Sequence, residues 1–308
     1  MENLPSKTFG FLKKLSLLLL LLPGAAQAEN IKIVTANTIL ADMTKEITGD
    51  RAEVQSLIGP GEELHAFSPK PSDLKTISKS DLFIANGLNL EGWLTRLNTD
   101  KIHWVEASKG IKLIRKNGAS DPHGWNSPYN APVYIDNITY AVCGEMPANC
   151  NTFKDNAKSY KQRIALIAEK YQGKFKSLSP AARRAITAHD AFGYLARDFD
   201  LEFHPIKGMN DEEEISAKIL AGMIDQIRRS AIRVVFVENI ANTAYARKLV
   251  SETDAFIGGE LYAESVSSED FANSYEKVLE YNLKTIYEAM EKAQGSSDSA
   301  GTEKEGQE

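Results

Sequence analysis

The chain has 308 residues, of which 43% are hydrophobic and 25% charged, and its formal net charge is −6. A length of this order predicts about two domains, and the balanced composition is that of a folded globular protein, not of a fibrous or disordered chain. The negative charge argues against nucleic acid as a partner, because binding to phosphates needs clustered lysine and arginine.

Residues 1–28 have the pattern of a signal peptide. Lys7, Lys13 and Lys14 precede an apolar run, and Ala26-Gln27-Ala28 forms an A-x-A cleavage site. The run is shorter than the roughly 20 residues that span a bilayer, so we expect no membrane span in the mature chain. No cysteine follows the run for lipid attachment. We therefore predict cleavage after Ala28 and release into the periplasm, with an uncleaved N-terminal anchor as the alternative.

The next residues alternate between strand and helix patterns. We predict strands over 31–37, 52–58, 81–87 and 103–108, and helices over 38–49, 71–81 and 91–97, with Ser72 as the N-cap of the second helix. This order predicts an α/β lobe over residues 29–153, in which a mainly parallel sheet is flanked by helices.

Cys143 and Cys150 are the two cysteines of the chain, and the segment between them contains Gly144 and Pro147. Because export permits oxidation, we predict a disulfide between them. A two-cysteine metal site is the alternative, but the neighbouring sequence offers no further ligands for it.

A long helical pattern follows near residue 154. Tyr160, Ile164, Ile167 and Tyr171 recur at helical spacing, and a helix over 154–177 would be roughly 36 Å long, about the width of a domain. We assign residues 154–178 to a helix that links two lobes.

The strand–helix alternation then restarts and predicts a second α/β lobe over 179–293. Its strands are expected at 184–189, 201–206 and 233–238, with a shorter one in 254–259, and its helices around 216–229 and 270–292. Residues 294–308 have almost no apolar content, and we predict a disordered tail there.

Three histidines and one acid stand out because they lie in loops or at strand ends. They are His65, His123, His189 and Glu264. Ligands of parallel sheets bind beyond the carboxyl ends of the strands, and three imidazoles with one carboxylate form a complete tetrahedral set for zinc. Any one of them alone is better explained as a structural residue, but the four together favour a metal site.

The other candidates near this set are weaker. His103 and His204 lie within predicted strands and are interpreted as structural or surface residues. Asp121 and Asp190 neighbour ligand histidines and are candidates to orient them, and Glu63 is a candidate additional ligand.

Several phrases of the sequence resemble one family in order. They are GEELHAFSPKPSD, NGLNLEGWL, DPHGWNSP, HDAFGYLARDF, EEISAKI, LYAESVS and SYEKVLEYNLKTI. They are similar to motifs of the cluster A-I solute-binding proteins, the periplasmic metal-binding components of ABC importers for zinc and manganese. The likeness spans nearly all of residues 30–293, and the succession of phrases is far more specific than any one of them.

The resemblance implies two lobes joined by one long helix, with metal held in the cleft between them. It implies that His65 and His123 come from the first lobe, and His189 and Glu264 from the second. It also implies a non-enzymatic carrier, expected to be a monomer, whose partner is a membrane permease.

This chain departs from the family pattern at three places. Glu264 stands where Asp is usual, and Leu64 and Ser127 replace the usual Pro and Asp. The long histidine-rich loop that zinc carriers often have before the second ligand is absent, and only RKNGASDPH stands there.

The third ligand position separates zinc from manganese. Manganese- and iron-type relatives typically have Glu there, whereas this chain has His189, and imidazole favours zinc over manganese. We therefore predict Zn²⁺ as the transported ligand, with a manganese or iron carrier as the alternative. An exported zinc hydrolase with Glu264 as its base is the rival class, but the histidine spacing matches no catalytic signature such as H-E-x-x-H.

Overall fold

The computed structural model describes residues 31–96, 101–116, 118–209, 215–239 and 243–305. The predicted signal peptide and its cleavage site lie outside the described residues. The chain forms two α/β lobes, each with a four-stranded parallel sheet, which confirms the predicted fold class. Within the described part of the chain, no helix combines the length and the apolar character needed to cross a bilayer.

The first lobe is built on a sheet of order β2-β1-β3-β4. Its strands are β1 (Ile31–Thr35), β2 (Ala52–Ser56), β3 (Leu82–Ala85) and β4 (Trp104–Glu106). Its helices are α1 (Thr38–Thr48), α2 (Pro71–Ser78) and α3 (Ala131–Glu145). A short antiparallel hairpin, β5 (Arg115–Lys116) with β6 (Ala119–Ser120), precedes α3 and was not predicted.

Two local predictions in this lobe were wrong. Helix α2 begins at Pro71 after the N-cap Lys70, so Ser72 lies inside its first turn. Proline is favoured at the first helical position because it has no N–H to satisfy there, which explains why the cap is Lys70 and not Ser72. The predicted helix over 91–97 is a 3-10 helix, Gly92–Arg96.

The linking helix α4 spans Cys150–Lys176 and so begins four residues earlier than predicted. A disulfide joins Cys150 to Cys143 of α3, as the sequence predicted. The apolar face buries Tyr160, Ile164 and Tyr171, which the helical spacing had singled out.

The second lobe has a sheet of order β10-β9-β7-β8. Its strands are β7 (Arg184–Thr187), β8 (Glu202–Pro205), β9 (Val234–Glu238) and β10 (Phe256–Leu261). Its helices are α5 (Gly193–Phe199), α6 (Ala217–Ser230), α7 (Ala244–Ser251) and α8 (Tyr275–Glu305). If each lobe's strands are counted in chain order, both sheets therefore have the order 2-1-3-4.

Helix α8 extends to Glu305, whereas the sequence predicted a helix over 270–292 and a disordered tail over 294–308. The segment 294–308 has no proline, and a helix that is already formed is extended at the gain of one hydrogen bond per residue.

One continuous apolar core runs through both lobes. It includes β-strand residues of the first sheet, the buried face of α4 and, from the second lobe, residues such as Phe192, Leu261 and Leu283. A smaller cluster around Ile186, Met223 and Leu249 lies between the second sheet, α6 and α7. The shared core fixes the lobes against each other and so positions the loops that meet between them.

Candidate metal centre

The structure brings the four residues singled out by the sequence to one place between the lobes. One ligand atom each from His65, His123, His189 and Glu264 lies within 4.8 Å of the others. His65 lies in the loop between β2 and α2, and His123 lies three residues beyond the hairpin. His189 lies two residues beyond β7, and Glu264 three beyond β10. All four positions lie past the ends of strands, where parallel sheets bind ligands.

Glu264 is the member that contacts all the others. Its Oε1 lies 2.9 Å from the Nε2 of His65, 3.2 Å from that of His189 and 3.7 Å from that of His123. The Nε2 atoms of His65 and His123 are 3.0 Å apart. The longer side chain of glutamate therefore reaches the histidines at a position where aspartate is usual.

The far nitrogens of two histidines are held by buried carboxylates. His123 Nδ1 lies 2.8 Å from Asp121 Oδ1, which also accepts the N–H of His123 at 2.9 Å. His189 Nδ1 lies 2.7 Å from Glu238 Oε2, and Glu238 Oε1 accepts the His189 N–H at 3.1 Å. A carboxylate on Nδ1 leaves Nε2 unprotonated in the neutral ring, so both imidazoles present their lone pairs to the centre.

The loop after His123 ties the ligand segments of both lobes together. Trp125 Nε1 donates to the carbonyl of Ala263 at 2.8 Å. Asn126 Nδ2 donates to the carbonyls of Ala191 and Ala263, both at 3.1 Å. Ala191 lies two residues after His189, and Ala263 immediately precedes Glu264. These hydrogen bonds therefore fix three of the four candidate ligands relative to one another.

Burial and neighbouring charges have opposite effects on the pKa values at this centre. Burial alone lowers the pKa of His189, but the carboxylates of Glu238 and Glu264 outweigh it and raise this pKa well above its usual value. The pKa of His123 is raised in the same way, chiefly by Asp121 against the effect of burial. Burial raises the pKa of Glu264, but hydrogen bonds from the histidines hold it well below its ordinary range. The site is thus a buried carboxylate that attracts positive charge, whether protons or a metal ion.

The weaker sequence candidates lie outside this centre or in supporting roles. His103 pairs with Glu145 on an exposed surface, and His204 contacts Glu202 and Gln226 on an edge strand, as the structural interpretation predicted. Asp121 contacts and orients the candidate ligand His123, in agreement with the hypothesis for this residue.

Asp190 does not orient a histidine, which corrects the hypothesis that it would act like Asp121. Its carboxylate points to Lys116 of the hairpin. Because Asp190 directly follows His189, sequence proximity suggested a shared role that the side-chain direction does not support.

Leu64 and Ser127, the two loop residues that depart from the family pattern, both make local contacts. Leu64 is buried beside His65. Ser127 Oγ donates to Asp198 and accepts the N–H of Asn130 at 3.0 Å.

Sequence reasoning missed Glu238. It closes β9, and β9 lies beside β7, the strand that leads to His189. The available signal was a glutamate at the carboxyl end of an otherwise apolar strand, VVFVE, one strand away from a candidate ligand. An acid placed there meets the neighbouring strand's loop, because the carboxyl ends of parallel strands share one edge of the sheet.

Comparison with known proteins gives a consistent result. Residues 33–289 match the family described as ZnuA, zinc-uptake complex component A periplasmic. The iron-binding protein YfeA of Yersinia pestis is 33% identical over 79% of this chain and 80% of its own length. The manganese ABC transporter substrate-binding lipoprotein PsaA of Streptococcus anginosus is 26% identical over 87% of this chain and 92% of its own.

Solved structures show the same architecture. The Mn-bound periplasmic metal-binding protein from Candidatus Liberibacter asiaticus superposes with a TM-score of 0.77 at 26% identity, covering 84% of this chain and 99% of that one. The periplasmic zinc-binding protein TroA of Treponema pallidum superposes with a TM-score of 0.80 at 23% identity, covering 85% and 99%, and this likeness shows the shared fold.

Proposed function

Because the chain belongs to the ZnuA family and is a periplasmic metal-binding component of an ABC importer, we propose that its cargo is Zn²⁺. The observation that carries this proposal is His189 at the third position of the centre, beside His65, His123 and Glu264. The family includes relatives named for iron and for manganese, so the choice of metal depends on this chain's own donor set.

The donor set favours zinc on chemical grounds. Three neutral imidazoles and one carboxylate make a closed four-ligand shell, which suits the tetrahedral preference of zinc. Manganese favours oxygen donors and more of them, and at a nitrogen-rich site zinc binds more tightly in the general order of divalent metals. The buried carboxylates of Asp121 and Glu238 raise the basicity of two of these imidazoles.

Binding of the metal would exchange protons for the cation. In the metal-free centre Glu264 lies against the three imidazoles, and the raised pKa values of His123 and His189 favour retention of protons there. A zinc ion takes the place of those protons and binds the neutral rings. Because the ligands come from loops of both lobes, the bound ion joins the lobes, and the permease partner would recognise this joined state.

The test is competition between metals. The protein is unfolded with chelator, refolded in equimolar zinc and manganese, desalted, and analysed for bound metal. We expect one zinc ion per chain and little manganese, and a His189→Glu variant should shift the balance toward manganese. Retention of manganese by the unchanged protein would overturn the zinc assignment and leave a carrier of another metal.

The release of the mature chain is part of the same proposal. The relatives PsaA and FimA are lipoproteins, and an extracytoplasmic location is common to the family. Both cysteines of this chain lie in the disulfide, so we propose that the mature protein is free of lipid and begins after Ala28. Mass spectrometry of the protein purified from a periplasmic extract tests this by its N-terminal residue.

A further inference from the structure

The segment that precedes His123 lies against the opposite lobe. Strands β5 and β6 pair as a hairpin, and the N–H of Asp121 donates back to the carbonyl of Ile114 at 2.9 Å, which closes its base. The hairpin contributes none of the four candidate ligands. Metal binding by the centre described above therefore does not account for the hairpin.

The hairpin carries an ion pair that crosses between the lobes. Lys116 Nζ donates to both carboxylate oxygens of Asp190, at 2.6 and 2.7 Å. The side chains are 39% and 15% exposed, so the pair is partly shielded from solvent. Asp190 directly follows the candidate ligand His189 in the second lobe, while Lys116 belongs to the segment that leads to His123 in the first.

Three further contacts hold the hairpin base to α5. The N–H of Ile114 donates to Tyr194 Oη at 3.3 Å, and the Tyr194 hydroxyl donates to the carbonyl of Asp121 at 2.9 Å. Arg197 Nη1 donates to the carbonyl of Lys112 at 3.1 Å. The hairpin is thus attached to the second lobe at its base, and Lys116 adds a charged contact beside the centre.

Gly193 permits this close approach. A Cβ at Gly193 would lie 2.9 Å from Asp121 Oδ2 and 3.7 Å from Lys116 Nζ. The backbone at the start of α5 therefore packs directly on the carboxylate that orients His123 and on the lysine of the ion pair.

We propose that the Lys116–Asp190 ion pair fastens the two lobes beside the centre and sets the rate at which bound metal leaves. The inference rests on the proposed metal-carrier function. For the metal to escape, the loops of the two lobes must separate, and this separation breaks a charge-assisted, two-pronged contact. The pair contacts none of the four candidate ligands through its side chains, so it acts by position and is not itself a ligand.

The test measures the zinc dissociation rate. The zinc-loaded full-length mature protein is mixed in a stopped-flow instrument with an excess of a chromogenic chelator. We expect the rate to rise about tenfold in Lys116→Met, and to a similar extent in Asp190→Asn. The double variant should be no faster than either single one, because both changes remove the same contact.

A matched control comes from a second lysine–aspartate pair. Lys161 Nζ lies 2.5 Å from Asp136 Oδ1 and joins α4 to α3 away from the centre. Lys161→Met removes an equally short ion pair from the surface and should leave the dissociation rate unchanged. Circular dichroism and the melting temperature verify that each variant folds.

The effect of salt on the zinc dissociation rate distinguishes an ion pair from a purely structural contact. Raising the salt concentration from about 0.05 to about 0.5 M screens a partly exposed pair, so it should accelerate zinc loss from the unchanged protein but hardly from Lys116→Met. Equal rates in Lys116→Met and the unchanged protein would overturn this inference alone. Failure of the unchanged protein to bind zinc would instead overturn the proposed function.

Discussion

At the scale of single residues, the candidate centre depends on one carboxylate and on the groups behind two of its histidines. Glu264 Oε1 approaches three Nε2 atoms, and Asp121 and Glu238 hold the opposite nitrogens of His123 and His189. The two supporting carboxylates sit in the interior, where burying their charge is costly and is offset by the hydrogen bonds they accept and by their attraction to positive charge on His123 and His189. This cost is consistent with a role in orienting the ligands.

Loss of Glu238's charge should therefore weaken metal binding. We expect Glu238→Gln to lower zinc affinity by about tenfold to a hundredfold, because His189 loses both its fixed orientation and part of its basicity. Isothermal titration in the presence of a competing chelator measures the change. Glu202→Gln removes the acid beside His204, far from the centre, and serves as the control. An unchanged affinity in Glu238→Gln would show that His189 needs no such partner.

The raised pKa values predict a pH dependence of binding. The pKa values of His123 and His189 are raised above their usual value in the metal-free protein, so a metal ion competes with protons at these rings at a higher pH than at ordinary histidines. Below these pKa values the competition strengthens, and zinc affinity should fall by about tenfold per pH unit for each displaced proton. Titrations between about pH 8 and pH 5 check the slope. A flat profile would contradict binding through these imidazoles.

The histidine set illustrates what sequence reasoning reaches at this scale. His65, His123, His189 and Glu264 were identified because loop position and residue type are both visible in a sequence. Glu238 and Asn126 were not, since their roles depend on which strands are neighbours and on where a side chain points. Asp190 shows the opposite error, because adjacency to His189 says nothing about direction.

At the scale of elements, the first turn of helix α8 in the second lobe hydrogen-bonds to a partly buried side chain of the first lobe. The N–H of Tyr275 donates to Asp42 Oδ2 of α1 at 2.8 Å. Burial raises the pKa of Asp42 from 3.8 to about 6, although this hydrogen bond acts in the opposite direction. The charged form of Asp42 is thus less favourable in the folded protein than in the unfolded chain.

This shift predicts a stabilising substitution. The folded pKa of Asp42 lies above the unfolded value, so its favourable contribution is present at low pH and is lost as the pH rises from about 4 to 6. At pH 7, Asp42→Asn keeps an acceptor for Tyr275 and removes the buried charge, and should add about 1–2 kcal/mol to the free energy of unfolding. Urea unfolding at pH 7 and near pH 4 measures it. Asp50→Asn, at an exposed carboxylate, is the control, and a destabilised Asp42→Asn would refute the argument.

The disulfide predicts a second effect at this scale. Cys143 and Cys150 lie seven positions apart in the sequence and join the end of α3 to the start of α4. A bridge over so short a loop stabilises by about 2 kcal/mol, so the Cys143→Ser/Cys150→Ser variant should melt at a lower temperature. Reductant should lower the melting temperature of the unchanged protein and leave that of the double variant alone.

Element boundaries were predicted less well than element identity. Strands β1, β3, β7 and β9 were recognisable as apolar runs, and α4 by its repeating apolar positions. The hairpin β5–β6 has two residues in each strand and no apolar pattern. Helix α8 was predicted over 270–292, and its observed bounds are Tyr275–Glu305.

At the scale of the whole molecule, the shared core predicts that the lobes unfold together. The three tryptophans, Trp93, Trp104 and Trp125, all lie in the first lobe, so their fluorescence reports on that lobe, whereas far-ultraviolet circular dichroism reports on both. Because one apolar core runs through both lobes, we expect the two signals to change at the same urea concentration. A second, separate transition seen by circular dichroism alone would show that the lobes are independent.

Both sheets have their strands in the same order, and the likeness extends to the turns. Thr35 Oγ1 donates to the carbonyl of Asn37 at 3.0 Å after β1, and Thr187 Oγ1 donates to that of His189 at 3.1 Å after β7. His123 and Glu264 likewise follow the fourth strand of their own sheets. The two turns therefore place Asn37 and His189 at equivalent positions of the two sheets. Because the Asn37 side chain accepts the N–H of Leu40 and caps α1, the turn after β1 holds a helix cap where the turn after β7 holds a candidate metal ligand.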